Sequence, residues 1–455
     1  MKTRAPWRRG FIVFFMTIWW GLSGAWAQPP LTLAEAQLLA LRENPGLKAA
    51  GLALATAEAE VAKARARFLP QISFSEAYSF SDNPTQVFMN KLNQRRFTEQ
   101  DFLLHHLNHP KPYGNWRAGL AISQPVFQAG EDFLGHQQAR LKYRQAESFV
   151  LSRRQQVLHQ VTQAYYGLQL ARERLKVMQQ ARAIAQDHLK LAQARFAAGA
   201  VIQADVLSAE VNLAKITQEE LTAQSQVAVA ESALDTVVGQ PGLGARPLSP
   251  APLEPAPLPD NLDNLRQLAQ DRRPDLKGLE LAARVAQKEY AKARLNYLPR
   301  FTLTATYDVD QRRLFGSNDD SYTVMAVMHL NLFNGLADLA RVRETKAQEA
   351  QAWELKKEVA DRIRHQVTEA ALTLKTAHER LKVAQTAVSQ AAEGLRLIRL
   401  RYAEGLTLLV DLLTAENAKK EAELNKLSAL FDTHIAHAGL ELALGTLTGP
   451  VGSSQ

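Results

Sequence analysis

The chain contains no cysteine. Disulfides, thiolate nucleophiles, cysteine-ligated metals and a lipidated N-terminal cysteine are therefore all excluded. Beyond its first 27 residues it also lacks any apolar run approaching the roughly 20 residues that a membrane-spanning helix needs. Such a chain can enter a membrane only as strands of a closed barrel. No G-x-S-x-G, H-E-x-x-H or phosphate-loop motif occurs, so nothing argues for catalysis, and no cofactor is expected. Charge of one sign is scarce as well: 54 Lys and Arg against 46 Asp and Glu leave +8. Four of those basic residues and no acidic ones lie in the first 27, so the remainder carries only +4. The excess is interleaved with Glu along helical stretches and reads as solvated helix faces, not as a nucleic-acid patch.

The first 27 residues have a separate logic. Lys2, Arg4, Arg8 and Arg9 precede an apolar run from Phe11 to Leu22, and Ala25-Trp26-Ala27 closes the stretch. A charged n-region, a short apolar h-region and an A-x-A site predict a secretory signal peptide cleaved after Ala27.

The rest of the chain says nearly the same thing twice. Residues 44–70 read NPGLKAAGLALATAEAEVAKARARFLP, and residues 273–299 read RPDLKGLELAARVAQKEYAKARLNYLP. Pro45 matches Pro274, Leu47 Leu276, Lys63 Lys292 and Pro70 Pro299, all at an offset of 229. A second pair of blocks, RFAAGAVIQADVLSAE from Arg195 and RYAEGLTLLVDLLTAE from Arg401, matches at an offset of 206. Two matched blocks in the same order indicate an internal duplication. The change of offset places 23 extra residues in the first copy between Pro70 and Arg195. The predicted organisation is a signal peptide (1–27), a first repeat (28–240), a proline-rich linker (241–260), a second repeat (261–449) and a tail (450–455).

Between the markers the pattern is helical over long distances. From Glu131 to about Ala197 there is no proline and only two glycines, Gly135 and Gly167. Leu151, Leu158 and Tyr165 recur every seven residues, offset from Val161, Leu168 and Leu175, as in a coiled-coil seam. A second seven-spaced line runs through Val150, Val157, Ala164, Ala171, Met178, Ala185 and Ala192, so neighbours are expected on more than one side. A helix of this extent is roughly 100 Å long. The second copy repeats the pattern from about Leu336 to Tyr402. Each long helix reaches an R-F/Y-A-x-G element ending at Gly199 or Gly405, and a returning helix is expected to start with Asp205 or Asp411 as its N-cap.

Shorter segments alternate with period two. Ile72, Phe74, Tyr78 and Phe80 form the apolar set of one; Trp116, Ala118, Leu120 and Ile122 that of a second. Phe301, Leu303, Ala305 and Tyr307, then Tyr322, Val324, Ala326, Met328 and Leu330, give two more in the second copy. Segments of about ten residues, apolar on one side and small or polar on the other, match outer-membrane strands, although a half-buried hairpin in a soluble domain would look similar. Four such strands cannot close a barrel alone, since the smallest have about eight, so lipid-facing strands would require oligomerisation.

The duplicated N/R-P-x-L and A-K-A-R-x-x-Y/F-L-P blocks, the Q-P-V-F-Q-A-G and L-N-L-F-N-G stretches before the long helices, and the two R-F/Y-A-x-G…D-x-L-x-A-E turns resemble the TolC-like outer-membrane efflux protein (outer membrane factor) family. The resemblance spans essentially the whole chain after the signal. It implies a mostly α, α+β homotrimer in which duplicated coiled-coil helical hairpins form a periplasmic α-barrel. Each protomer would give four strands to a shared twelve-stranded transmembrane β-barrel in outer-membrane lipid. It also implies an exit duct for efflux or type I secretion, docked on a periplasmic adaptor and through it on an inner-membrane pump. By the same resemblance Asp411 narrows the periplasmic aperture, while Gly199, Val201, Gly405 and Leu406 are tip residues that meet adaptor hairpins. Thr414 stands where some members have a second aspartate, and Asp205 is expected to be only a helix cap.

A periplasmic adaptor or coiled-coil scaffold is the alternative; it would share the hairpins but predicts a single long one and no lipid-facing strands. His105, His106 and His109 fall in the extra segment of the first copy, which is expected to be a solvated external loop between strands one and two. Their spacing fits no zinc motif. His434 and His437 sit at i, i+3 with no acidic cluster and read as packing or surface residues.

Overall fold

The computed structural model describes residues 29–250, 254–255, 257–258, 261–314 and 319–449. The expected signal peptide, the tail and parts of the linker lie outside the described residues.

The duplication is visible element by element. The first copy runs α1 (Leu33–Glu43), α2 (Pro45–Ala66), β1 (Gln71–Ser81), α3 (Pro84–Asn93), a 3-10 turn (Glu99–Phe102), α4 (Leu104–Asn108), β2 (Tyr113–Gln128), α5 (Glu131–Ala197) and α6 (Gln203–Val238). The second runs α7 (Leu262–Arg272), α8 (Pro274–Leu295), β3 (Arg300–Gln311), β4 (Asp319–His329), α9 (Ala337–Ala403) and α10 (Leu409–Leu444). Matched helices agree in length: 11 residues for α1 and α7, 22 for α2 and α8, 67 for α5 and α9, 36 for α6 and α10.

The long helices α5 and α9 are the stems. Next to the sheet α5 packs on α2 and α8; towards the far end it packs on α6 and α10, and α9 packs on α8 and α10. The half-length helices meet end to end beside the stems, and both copies solve that junction alike. Pro45 and Pro274 start α2 and α8, where a missing N–H is harmless. In the first copy the Asn44 side chain accepts from Leu47 N–H at 2.9 Å and donates to the Val237 carbonyl, at the end of α6, at 2.6 Å. In the second, Arg273 donates to the Ala443 carbonyl, at the end of α10, at 3.2 Å. Gly239 and Gly445 end the returning helices with φ of 83° and 71°. An added Cβ would come within 2.9 Å of the Glu43 carbonyl oxygen at the first and of Arg273 Cα at the second.

The core gathers at these junctions. Val157, Leu158, Val161, Tyr165 and Leu168 of α5 are buried, the aromatic ring of Tyr165 and its neighbours packing with Leu234, Val238 and Phe431. The Tyr165 hydroxyl donates to the Leu31 carbonyl at 2.8 Å, and burial pushes its pKa up to about 12. Ile363, Val367 and Leu374 of α9 build the matching cluster with Leu440 and Leu444. Met178, Ala185 and Ala192 of the second expected stripe are buried too. Leu151 departs from the seam, being 53% exposed on the sheet-proximal side of the junction.

The four strands form one antiparallel sheet in the order β1-β2-β3-β4. Its register aligns apolar residues in rows across all four strands: Ile72 with Ile122, Ala305 and Val324, and Phe74 with Leu120, Tyr307 and Tyr322. The other face carries Ser73, Ala121, Thr306 and Thr323, then Ser75, Gly119, Asp308 and Ser321. Ile72, Phe74 and Phe80 are about two-thirds exposed, at 66%, 68% and 65%. The apolar face is therefore uncovered within one chain, and β1 and β4 each leave one edge unpaired.

The extra segment of the first copy is largely exposed, His105, His106 and His109 included, but it is folded and partly docked where an irregular loop is expected. It contains α3, the 3-10 turn and α4, and Gln94 is only 1% exposed. Asn83-Pro84 starts α3 by the same device as Asn44-Pro45, with the Asn83 carbonyl oxygen of the side chain accepting from Thr85 and Gln86 N–H. Lys91 Nζ lies 2.6 Å from Asp101, and that contact with the Thr98 bonds holds the Asp101 carboxyl down at about 2.

Glycine at the two kinds of helix end provides a test. Gly199 has φ +72° but open space around its missing Cβ, whereas Gly445 has φ +71° and a crowded one. Gly199→Ala should therefore lose only the left-handed strain, about 1–2 kcal/mol, and Gly445→Ala clearly more. Thermal unfolding of the detergent-solubilised protein checks this; equal shifts would show that the junction yields to a methyl group.

Candidate functional site at the helical tips

Both hairpins turn by the same backbone device. After α5, Gly199 N–H bonds the Phe196 carbonyl at 2.9 Å and Ala200 N–H the Arg195 carbonyl at 2.8 Å. After α9, Gly405 N–H bonds the Tyr402 carbonyl at 3.1 Å and Leu406 N–H the Arg401 carbonyl at 2.8 Å. The paired bonds around a left-handed glycine form the Schellman closure that the R-F/Y-A-x-G pattern encodes. Gly199, Gly405 and Leu406 lie exposed at the two tips, with Val201 partly covered.

The aspartates stand deeper in their helices than expected. Ile202 and Leu408, not Asp205 and Asp411, are the N-caps, and each aspartate is the third residue of its helix. In the second copy Leu409 opens the helix because it is buried, 3% exposed, in a cluster with Ala192, Leu395, Leu412 and Leu413. Packing, not capping preference, sets that boundary. From the third position the Asp411 carboxylate reaches back, accepting from Leu408 N–H at 3.3 Å and from the Thr407 hydroxyl at 2.6 Å. The Thr407 bond, then the backbone bond, hold its carboxyl below the usual range. Val201 occupies the position of Thr407 in the first copy, so Asp205 has no such hydroxyl. Among the described residues no hydrogen bond to the Asp205 carboxylate is present. Thr414 turns its hydroxyl to the Val410 carbonyl at 2.7 Å.

Behind the tips, polar links join the two copies. Glu416 of α10 receives His188 of α5 at 2.9 Å and Arg399 of α9 at 2.9 Å. Burial works against its charge, but these bonds outweigh it and lower its pKa. Lys420 of α10 lies 2.6 Å from Glu219 of α6, with side-chain exposures of 9% and 33%. Arg195 lies over the Tyr402 ring, 5.0 Å from its centroid. Sequence reasoning misses these links. Their only signal is a charge standing in a buried line, Lys420 seven residues after Leu413 and Glu416 seven after Leu409.

The histidines do not gather into a site. The His105 ring lies 6.0 Å from that of His106 and 5.6 Å from that of His109 by centroid, and among the described residues no group of three or more His, Cys, Asp or Glu could hold a metal ion. His434 stacks on Tyr166 at 5.1 Å inside the junction core. No helix among the described residues is long and apolar enough to cross a membrane.

The sheet has one polar and one mostly apolar, uncovered face and is carried on helices that end in exposed turns. The chain belongs to the outer membrane efflux protein family, whose profile it matches over residues 38–240 and 265–446. It is 25% identical over 422 residues to the proteases secretion protein PrtF of Dickeya chrysanthemi, covering 89% of this chain and 87% of that protein. Among solved structures it is similar to the CmeC outer membrane channel of Campylobacter jejuni, with a TM-score of 0.79 at 17% identity, over 91% of this chain and 85% of the other. A membrane protein from Pseudomonas aeruginosa gives 0.78 at 20% identity, over 91% and 93%. By its family the chain is an outer-membrane exit duct component.

The half-buried ion pair behind the tips yields a prediction. Removing Glu219 leaves the buried Lys420 ammonium without its partner but opens a path for water through a site already a third exposed. Glu219→Ala should therefore destabilise by about 1–3 kcal/mol, whereas Lys420→Met should be close to neutral. Urea unfolding of the two variants, followed by limited proteolysis of the lower hairpins, would measure this. Equal and small losses would place the pair in bulk water.

Proposed function

We propose that three copies of this chain close into one duct, with twelve strands in the outer membrane and a helical tunnel below it. The single observation that carries the reading is the matched incompleteness of the two layers. The sheet ends in unpaired β1 and β4. The helices stand side by side, with α2 and α6 packed on α5, α8 and α10 packed on both α5 and α9, and α9 at the other flank. Joining β4 and α9 of one protomer to β1, α2 and α6 of the next closes both layers at once. The duplicated chain then supplies six similar units around the axis. A periplasmic adaptor, the other reading of the hairpins, does not account for four strands with a mostly apolar face, interrupted in the row of Glu76 and Asp320.

The exposed tips, with Gly199, Val201, Gly405 and Leu406, are the surface offered to a periplasmic adaptor, which couples the duct to an inner-membrane pump. Transport is passive, and PrtF and CmeC by name cover both protein secretion and a channel role. At the entrance, three symmetry-related Asp411 carboxylates form a ring that attracts cations. The Thr407 bond orients each carboxylate and keeps it ionised.

Planar-bilayer recording tests this. The wild-type protein should conduct with cation preference and be blocked by multivalent cations. Asp411→Asn keeps an oxygen for Leu408 N–H but removes the charge, and should lose both preference and block; Asp205→Asn should change little. Unaltered selectivity in Asp411→Asn, in a protein that conducts normally, would leave Asp411 as a helix-terminal carboxylate only.

A further inference from the structure

The two copies differ most between their strands: residues 82–112 join β1 to β2 and contain folded elements, whereas only residues 312–318 join β3 to β4. The longer segment does not project away from the sheet. Gln94 donates to the Asn115 side chain at 2.7 Å, and Asn115 donates to Asn90 at 3.3 Å. Tyr113 donates to Gln94 at 2.8 Å. Asn115 also binds Asp310, which receives Arg117 at 3.0 Å. Gln94, Asn115 and Asp310 are 1%, 2% and 3% exposed.

Strand alternation says which face this is. Asn115, Arg117, Gly119, Ala121 and Ser123 share one side of β2, opposite to Trp116, Leu120 and Ile122. The segment therefore lies on the polar face, which becomes the lumen when the apolar face meets lipid. It also reaches across the sheet. Arg95, held at a positive φ of 49°, donates to the Asp320 carbonyl on β4 at 3.1 Å. Left-handed backbone at a bulky residue persists where surrounding contacts fix it. Phe97 meets Phe88 and Phe102 edge to face at 4.9 and 5.0 Å, so the segment has a small core of its own. Met89 and Leu92 lie away from the docked Val87, Asn90 and Gln94, and are 49% and 42% exposed.

We infer that residues 82–112 form an exit filter, a folded segment held inside the outer mouth of the barrel that limits the size of what leaves. The inference rests on the trimeric barrel reading. A helix with its side chains is about 10–12 Å across. A twelve-stranded barrel is intermediate between about 8 strands, which side chains fill, and 16, which leave an aqueous channel. Three such segments inside it narrow the exit considerably. Gln94 and Arg95 are the positioning residues, tying the segment to β2 and β4.

The absence of native cysteine makes the test direct. Ser73→Cys lies on the polar face near the periplasmic start of β1, and Ile72→Cys on the apolar face beside it. In intact cells, a small sulfonated thiol reagent should label Ser73→Cys and spare Ile72→Cys. A polymer-linked maleimide should fail to reach Ser73→Cys while the segment is in place. It should label that site once Gln94→Ala and Arg95→Ala are combined, or once residues 82–112 are replaced by a short turn, with assembly verified by native mass spectrometry. The double substitution leaves every strand residue intact and serves if the shortened chain does not assemble. Equal labelling of Ile72→Cys and Ser73→Cys by the small reagent would contradict the barrel itself. With that control satisfied, polymer labelling in the unaltered segment, or continued exclusion in the assembled variants, would overturn the filter.

Discussion

In hydrocarbon a strand edge has no water to bond, and each unpaired backbone N–H or C=O loses several kcal/mol. This chain places four strands with uncovered apolar rows beside two such edges, at β1 and β4. Everything else depends on that constraint. In the proposed duct another copy satisfies these edges, and closing the sheet requires the helices beneath to close with it. Stems of 67 residues carry the spacing of the sheet down to the tips. Returning helices of about half that length fill the gaps between stems, and the end-to-end junctions hold the densest core.

The two copies answer the same structural demands with different chemistry. At the junction of half-length helices, a neutral Asn44 in one copy and a charged Arg273 in the other cap the returning helix. At the tips, Thr407 supports Asp411, while Val201 leaves Asp205 without that support. The aspartates occupy identical backbone positions, so the asymmetry lies in one neighbouring side chain. Between the strands, one copy has a folded segment docked on the polar face and the other a short connection. Symmetry is kept in the helix lengths and the junctions and is broken at the tips and between the strands.

Much of this is legible in the residues. Absence of proline and heptad repetition mark the long helices to within a residue or two, because over 67 residues no tertiary effect competes with so consistent a pattern. Period-two alternation marks all four strands, and R-F/Y-A-x-G marks the turns. Three features escape such reading. The returning helices start earlier than their aspartates suggest, and at the second tip burial of Leu409 governs that boundary. The Asn83-Pro84 helix start is present in the sequence and repeats Asn44-Pro45, but its ten-residue helix is too short for its period to stand out from a loop. The links of His188 and Arg399 to Glu416, and of Lys420 to Glu219, join residues about 200 positions apart or across helices, which no local pattern reveals.

Electron cryomicroscopy of the protein in lipid nanodiscs bears most directly on the shared barrel. The expected result is a three-fold particle in which β4 of each protomer is hydrogen-bonded to β1 of the next, leaving no free strand edge. A particle of any other symmetry, or one in which β1 or β4 stays unpaired within the lipid, would contradict it.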